Sequence, residues 1–587
     1  MPIRIRASLL AVAFIAAACT GSPAQGIDDF FREFTDDWVR RDPNLAVRAR
    51  YFDGEEQDRL SRELTPATRE HRLETIARAE EGLGRLVAFD REALTPAQRV
   101  SASVMQWQLQ SIVDGRGYLD YEFPLQQMNG VNVSVPNELV VVHPLGSVRD
   151  AENYLARLAQ VDARMAEAVA ASERQVEAGI VPPRFILDAT IAQMERFMRP
   201  SPADNPLATV LRDKLAEAPG VEPVVRDDLL ARAIEIIAAE IYPAWRSAIV
   251  ALDAQRPEAT DDAGLWRFAD GERLYAQRLR YYTTTGLTAA EIHEIGLAEV
   301  ARIEAEMDGL FRALGYEQGS IAERAARLAA DRSYPNTEEG RRRIMTDIDG
   351  ILATALERTA SSFNLRPTTP VVAQPYPEFR WADAAATYSA PPPDGSRPGI
   401  FQMPLRPSRL TEFELRTLVY HETVPGHHFQ VGLETENVDL PAFRRIRAFG
   451  VLSASVEGWA LYAERFAAED GWYADDPVGL LGQLGDALWR ARRLVVDTGL
   501  HAMRWTRQQA IDYGIEASEV DRYVVWPGQA CSYMIGQLKI VELRERARAA
   551  LGERFSIREF HDVVLAAGSV PLAVLEQEVD AYIARSR

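Results

Sequence analysis

Apolar residues recur every three or four positions along most of the chain, a spacing that places them on one face of a helix. The pattern begins at Ile27, Phe30, Phe31 and Phe34. The same period predicts long helices over 150–172, 224–252 with a kink at Pro243, and 287–314. These patterns predict a mainly α fold.

Two stretches interrupt the helical period. Residues 120–145 indicate loop with some extended chain, an insertion that either shapes a site or simply connects helices. Residues 367–407 contain short apolar runs around a Pro/Gly-rich turn, which predicts a small antiparallel hairpin or sheet beside the active-site cleft. Its candidate strands are 370–373, 386–389 and 399–403. Thr411 and Glu414 then form the start signal of the next helix.

The beginning of the chain has the pattern of a bacterial export signal. In residues 1–18, two arginines precede an apolar run that is too short to span a membrane comfortably. The run ends before Cys19 in a pattern that resembles a lipoprotein cleavage site, and Thr20 favours the outer membrane. We therefore predict a signal peptide, a lipidated tether over 19–26 and anchoring in the cell envelope through Cys19. The alternative is a secreted protein without the lipid.

Composition narrows the possible partners. The chain has 86 acidic against 66 basic residues and a net charge of −20, with no basic run, which argues against nucleic acid as a partner. Cys531 is the only cysteine besides Cys19, so a lipidated chain has no intrachain disulfide and depends on burial for stability. Residues 27–587 are predicted to form a single domain, with a helical part over 27–366 and a metal-binding part over 367–587.

One segment concentrates the candidate chemistry: His421-Glu422-Thr423-Val424-Pro425-Gly426-His427-His428. Its first two residues begin the zinc-binding pattern His-Glu-x-x-His, in which two histidines bind zinc and the glutamate acts as base. Here Pro425 stands where the second histidine normally lies. Because proline lacks the helical N–H and glycine tolerates unusual dihedrals, we predict a bulge or break. A bulge would return His427 to the second ligand position, and His428 is its rival.

A third ligand is expected from another helix. The segment 453–464 has a helical pattern and is largely apolar around Glu457. A buried carboxylate in such surroundings needs a partner, so we predict Glu457 as the third ligand. Glu464, on the same face, either supports a ligand or lies at the surface.

The sequence resembles a bacterial family known as domain of unknown function 885 in three motifs: His-Glu-x-x-Pro-Gly-His from His421, Glu-Gly-Trp-Ala-Leu-Tyr-Ala-Glu from Glu457, and Pro-Gly-Gln-Ala-x-Ser-Tyr over 527–533. The resemblance covers most of the chain. That family looks similar in fold to the Taq-type metallocarboxypeptidases, which are large helical zinc peptidases. The resemblance therefore implies a multi-helix zincin-like fold, zinc at His421, His427 and Glu457, and Glu422 as base.

Two downstream residues are candidates for stabilising an oxyanion. His501 lies one turn after Asp497 and is either a satisfied core residue or a group that binds the oxyanion or orients a ligand. Tyr533 lies on a helix that Pro527 begins, and its hydroxyl is either packed in the core or an oxyanion donor.

These residues predict a zinc-dependent hydrolase of peptide bonds, in which Glu422 takes a proton from water and passes it to the leaving amine. By analogy with the similar carboxypeptidases, short or unfolded peptides are the expected substrates. A carboxypeptidase also needs a cation for the terminal carboxylate, and the sequence does not select among Arg397, Arg492, Arg493 and Arg504. Two alternatives remain: a zinc hydrolase of a non-peptide amide or ester, and a non-enzymatic envelope lipoprotein that binds peptide or metal.

Overall fold

The computed structural model describes residues 26–376, 378, 381, 385–392, 395, 397–407 and 410–587. The predicted signal peptide and the lipidation site at Cys19 lie outside these ranges. The mainly α class is confirmed, because helices dominate the described residues and one small sheet accompanies them. Within the same ranges, no helix combines the length and the apolar character that a membrane span requires.

The α-helices are α1 (Ile27–Arg40), α2 (Pro43–Ala49), α3 (Gly54–Leu60), α4 (Arg69–Leu86), α5 (Pro96–Asp114), α6 (Val131–Asn137), α7 (Val148–Leu158), α8 (Val161–Glu177), α9 (Arg184–Met198), α10 (Pro206–Glu217), α11 (Pro223–Ile236), α12 (Tyr242–Asp253), α13 (Gly271–Thr283), α14 (Ala289–Ala313), α15 (Ile321–Arg332), α16 (Glu338–Ser362), α17 (Glu412–Glu422), α18 (His427–Glu436), α19 (Ala442–Arg445), α20 (Ser453–Glu469), α21 (Pro477–Ala502), α22 (Arg507–Asp512), α23 (Ala517–Val525), α24 (Ser532–Leu551), α25 (Ile557–Ala567) and α26 (Leu572–Ser586).

The three long helices predicted from periodicity have different outcomes. The helix predicted over 287–314 is α14, and Thr288 and Glu291 form its reciprocal capping box. The helix predicted over 150–172 is wrong as a single element, because α7 ends and α8 begins after a short turn. The predicted kink at Pro243 takes the form of a π-helical turn between α11 and α12, where proline cannot donate a helical bond.

The insertion over 120–145 is more helical than predicted. A 3-10 helix over Gly115–Tyr121 leads into irregular chain, and α6 continues into a π-helical turn at Glu138–Val142. The extended chain expected there is wrong, because the buried side chains of Val135 and Leu139 lie four residues apart and face the same core.

The sheet contains β1 (Val371–Pro375), β2 (Thr387–Ser389) and β3 (Gly399–Met403), in the order β1-β3-β2. β3 runs parallel to β1 and antiparallel to β2. The antiparallel sheet predicted from the sequence is therefore corrected to a mixed sheet. The reason is that the chain passes through β2 at one edge and then returns to insert β3 between the other two strands.

The helices α20, which carries the second sequence motif, and α24, which begins within the third, lie unusually close together. The hydroxyl groups of Ser453 and Ser532 are 2.7 Å apart at one end. Further along, a Cβ added at Gly458 would lie 2.6 Å from the Cα of Gly536, and one added at Gly536 would overlap the carbonyl oxygen of Ala454. Glycine is therefore required at both positions by close backbone approach, and this contact fixes the helix that carries Glu457.

We expect Gly536→Ala to destabilise the protein by about 1–3 kcal/mol, because the added methyl group forces α20 and α24 apart. The free energy of unfolding in urea measures this effect. Gly309→Ala in α14 is the matched control: its Cβ meets open space, so helix propensity should leave stability unchanged or raised by about 1 kcal/mol. Equal stability of Gly536→Ala and the parent would contradict the steric argument.

Candidate metal centre

The helix that carries the first candidate ligand stops abruptly. α17 ends at Glu422, and α18 begins at His427. In the turn between them, the amide of Gly426 donates to the carbonyl of Tyr420 at 3.0 Å. A side chain at Gly426 would overlap the carbonyl oxygen of His421. The predicted break is confirmed, and it occurs at the Pro-Gly pair.

This break brings His421 and His427 together against Glu457 of α20. One ligand atom from each of the three residues lies within 4.8 Å of the others. Nε2 of His421 lies 3.7 Å from Oε2 of Glu457, and Nε2 of His427 lies 3.5 Å from the same oxygen. Two imidazole nitrogens and one carboxylate oxygen form a donor set that catalytic zinc sites use. The residues present therefore fit a zinc ion.

Glu464 contacts the other nitrogen of His421. Its Oε1 lies 2.6 Å from Nδ1 of His421, and its side chain is fully buried. The sequence left open whether Glu464 supports a ligand or lies at the surface, and the structure buries it. Because this carboxylate engages Nδ1, Nε2 of His421 is the nitrogen that faces Glu457 and could bind a metal ion.

The cluster concentrates negative charge around one imidazole. Burial by itself lowers the pKa of His421, but the neighbouring carboxylates of Glu457 and Glu464 raise it to about 10. Burial acts to raise the pKa of Glu457, while the neighbouring imidazoles of His421 and His427 hold it well below its usual range. Burial raises the pKa of Glu464. Such a site stabilises a cation, either a proton on His421 or a metal ion that replaces it.

Glu422, the predicted base, follows His421 directly and is buried, with 7% of its surface exposed. In the described part of the chain its carboxylate has no hydrogen-bond partner, unlike Glu457 and Glu464. A carboxylate without a partner next to a candidate ligand can accept a proton from a reactant.

His428, the rival ligand, is directed elsewhere. Its Nδ1 lies 2.9 Å from the hydroxyl of Tyr388 in β2, and burial lowers its pKa to about 4. A Cβ added at Gly399 would come within 3.0 Å of the same nitrogen. The geometry therefore joins His427 to the cluster, and His428 instead attaches α18 to the sheet.

Tyr533 lies in the first turn of α24, between the contact of Ser532 with α20 and the close approach at Gly536. Its ring packs against the guanidinium of Arg493 at 4.7 Å. The tyrosine thus stands on the helix that packs against the one carrying Glu457, and its role as oxyanion donor stays a prediction.

His501 is not brought to the cluster. Its Nδ1 accepts a hydrogen bond from the amide of Leu265 at 3.2 Å, and its Nε2 donates to the carbonyl of Tyr523 at 3.0 Å. Burial lowers its pKa to about 3, so the ring is neutral. Asp497 does not pair with it and instead accepts from Tyr275 at 2.6 Å. With both nitrogens engaged by main chain, His501 has a structural role in place of the catalytic one predicted.

The four arginines considered for a substrate carboxylate differ in their surroundings. Arg397 lies on an exposed turn before β3, and Arg504 packs over Trp266. Arg492 pairs with Glu304 at 2.9 Å. Arg493 is almost fully buried, so a substrate does not reach it without movement. The surroundings of these four arginines do not distinguish any one of them as the cation that binds a substrate carboxylate.

Sequence reasoning missed the structural role of Trp459. Its indole N–H donates to the carbonyls of Pro425 at 3.0 Å and Gly426 at 3.2 Å. A tryptophan two residues after Glu457 therefore connects the helix of the third candidate ligand to the turn between the two histidines. The tryptophan in the Glu-Gly-Trp motif signalled an indole N–H donor in this helix. The sequence alone does not show which carbonyl groups accept its hydrogen bond.

Residues 43–579 match the family described as "Bacterial protein of unknown function (DUF885)". The chain belongs to this family. Comparison with curated proteins finds no significant match. The family membership that the three motifs indicated is thus confirmed. The function of this family is unknown.

Solved structures extend the comparison to the whole fold. This DUF885 chain is similar to the "putative lipoprotein from Colwellia psychrerythraea", with 30% identity, a TM-score of 0.90, and coverage of 95% of this chain and 99% of that one. It also shares its fold with a "putative lipoprotein of unknown function from Shewanella oneidensis", with 19% identity, a TM-score of 0.71, and coverage of 94% and 99%.

We expect Glu464→Gln to weaken zinc binding about 10- to 100-fold, because the carboxylate that orients His421 loses its charge. Competition with a chromophoric chelator measures the dissociation constant without any assay of activity.

Glu138→Gln provides the control for this substitution. Glu138 is also a buried carboxylate, but it pairs with Arg48 in a distant part of the chain. An equal loss of affinity in both variants would show that general destabilisation, and not the orientation of His421, is responsible.

Proposed function

We propose that this protein is a zinc-dependent hydrolase of peptide bonds with a zincin-like site, related in action to the Taq-type metallocarboxypeptidases. One observation carries the proposal: His421, His427 and Glu457 converge, and Glu422 directly follows the first of them with a carboxylate that no other described residue pairs with. A site that only bound metal would have no use for a free base at that position.

His421, His427 and Glu457 would hold the ion, with Glu464 orienting His421. Zinc, when bound, supplies a Lewis acid that polarises a carbonyl group and acidifies water. Glu422 accepts a proton from the attacking water and returns it to the leaving amine. Tyr533 donates a hydrogen bond to the oxygen that becomes negative during attack.

The expected substrates are short or unfolded peptides in the cell envelope. The site is buried between α17, α18 and α20, which favours a flexible chain over a folded protein surface. The envelope location rests on the export pattern of residues 1–18 and on Cys19. The structural relative described as a "putative lipoprotein from Colwellia psychrerythraea" supports it.

The test of catalysis combines metal content with digestion of a mixed peptide library by the purified protein. We expect about one zinc per chain and cleavage that falls by a factor of about 10²–10⁴ in Glu422→Gln, which loses the base but keeps the ligands. Glu412→Gln, at the start of the same helix, should retain both zinc and activity.

Three results would count against parts of this proposal. A chain that binds no zinc even when the ion is supplied would remove the central claim. Zinc without peptide cleavage would favour the non-peptide hydrolase or the binding protein. Full activity in Glu422→Gln would assign the base elsewhere.

The anchor is tested separately by fractionation and lipid labelling of the native host protein. We expect Cys19→Ser to lose the lipid label and to leave the membrane fraction. Cys531→Ala should remain anchored, because Cys531 is buried inside the fold. An unlabelled, fully soluble parent protein would instead establish secretion without lipid.

A further inference from the structure

A cavity of about 320 Å³ lies between the segment 119–131 and the end of α23. Its size is at the lower end of the range of small-molecule sites. The segment belongs to the insertion that interrupts the helical period, for which the sequence left a site role open. The opposite wall includes Trp526 and Pro527, and Pro527 begins the third family motif.

The charge of this cavity is opposite to that of the whole chain. Four arginines and two carboxylates line it, although the protein carries a net charge of −20. The arginines are Arg69, Arg72, Arg174 and Arg278. A positive concavity in an acidic protein raises the local concentration of anions.

In the wall of this cavity, one carboxylate bridges two arginines. Arg278 donates through Nη2 to Oε1 of Glu122 at 2.5 Å, and Arg72 donates through Nη2 to Oε2 of Glu122 at 2.5 Å. Surrounding protein acts to raise the pKa of Glu122, but the two arginines lower it. The cavity therefore already recognises a carboxylate, and that carboxylate is ionised.

The bridge is open to solvent. The side chain of Glu122 is 49% exposed and that of Arg278 is 17% exposed. Arg72, Glu122 and Arg278 also line an adjoining cavity of about 250 Å³. In the described residues, Nη2 is the one guanidinium nitrogen of Arg278 with a hydrogen bond. The remaining N–H groups are free to bind an incoming carboxylate alongside Glu122 or in its place.

The wall next to Arg278 suits an apolar side chain. Leu274 and Val524 line the cavity, and the indole N–H of Trp526 donates to the hydroxyl of Tyr282. A cation beside an apolar and aromatic surface matches the end of a peptide, which carries a carboxylate and a side chain on one atom.

The cavity is connected to the candidate metal centre through the third motif. Two residues after Pro527, the amide of Gln529 contacts the hydroxyl of Ser453 at 3.5 Å. Ser453 begins α20, and Glu457 lies one helical turn further on. One continuous set of contacts thus links the cavity wall to a metal ligand.

We propose that this cavity binds a carboxylate of the substrate, with Arg278 as the recognising cation and Glu122 as the resident competitor. The proposal rests on the peptidase function proposed above and assigns it to peptides with a free C-terminal carboxylate. An acidic side chain offers the same chemistry, and the experiment separates the two sources.

The test uses the full zinc-supplied chain with Glu422→Gln, so that bound peptides survive, and measures affinity by calorimetry. The probes are Ala-Ala-Leu-Ala-Ala as free acid, its C-terminal amide, and the amide of Ala-Ala-Leu-Asp-Ala. We expect the free acid to bind about tenfold more tightly than its amide, as charge-assisted hydrogen bonds provide. Equal binding of the aspartate-containing amide would assign the carboxylate to a side chain.

Two variants that remove opposite charges from the cavity test which residue recognises the carboxylate. Arg278→Gln should abolish the preference for the free acid, whereas Glu122→Gln should increase it, because the resident competitor is neutralised. Arg546→Gln is the matched control, since Arg546 pairs with Glu576 and Asp580 outside the cavity. Thermal melting verifies that each variant is folded, and Glu122→Gln decides the matter if Arg278→Gln does not fold.

The proposal is overturned if the free acid and the amides bind equally, if no probe binds, or if the preference survives Arg278→Gln in a folded protein. Digestion of the same probes by the chain with native Glu422 decides the peptidase function separately. Cleavage without carboxylate preference would keep that function and remove this cavity from it.

Discussion

The turn between α17 and α18 is the constraint on which the candidate metal centre depends. Gly426 has no room for a side chain because the carbonyl of His421 lies against it. The indole N–H of Trp459 donates to the carbonyls of Pro425 and Gly426 at this break. Since Trp459 lies on the same helix as Glu457, one indole aligns all three candidate ligands. A regular helix through this segment would direct His427 away from His421.

The electrostatic arrangement follows from that geometry. Glu457 and Glu464 approach different nitrogens of one imidazole; the carboxylate of Glu464 is fully buried and that of Glu457 is mostly buried. Buried negative charge is costly unless a cation accompanies it. Arg490 provides part of the compensation for Glu464. The rest is suited to an ion held by the cluster beside Glu422, which has no hydrogen-bond partner within the described ranges.

Two segments that are far apart in the sequence line the same cavity in the fold. The insertion around Glu122 and the Pro-Gly-Gln motif form opposite walls of one positive cavity. The motif also contacts the helix of Glu457. The close packing of α20 against α24 makes this connection rigid, because glycine at the crossing leaves no space for either helix to shift.

The sequence by itself determined the helical class and the break at Pro425-Gly426, and it named His421, Glu457 and either His427 or His428 as candidate ligands. These depend on local properties: the apolar period, the missing N–H of proline and the donor atoms of histidine and glutamate. Only the tertiary structure decided the parallel pairing of β1 with β3, the burial of Glu464, the direction of His428 and the main-chain partners of His501. It also joined Glu122 to Arg278, which are 156 positions apart. The spacing of apolar residues shows which face of a helix each of them occupies. Which element packs against that face depends on how distant segments of the chain come together.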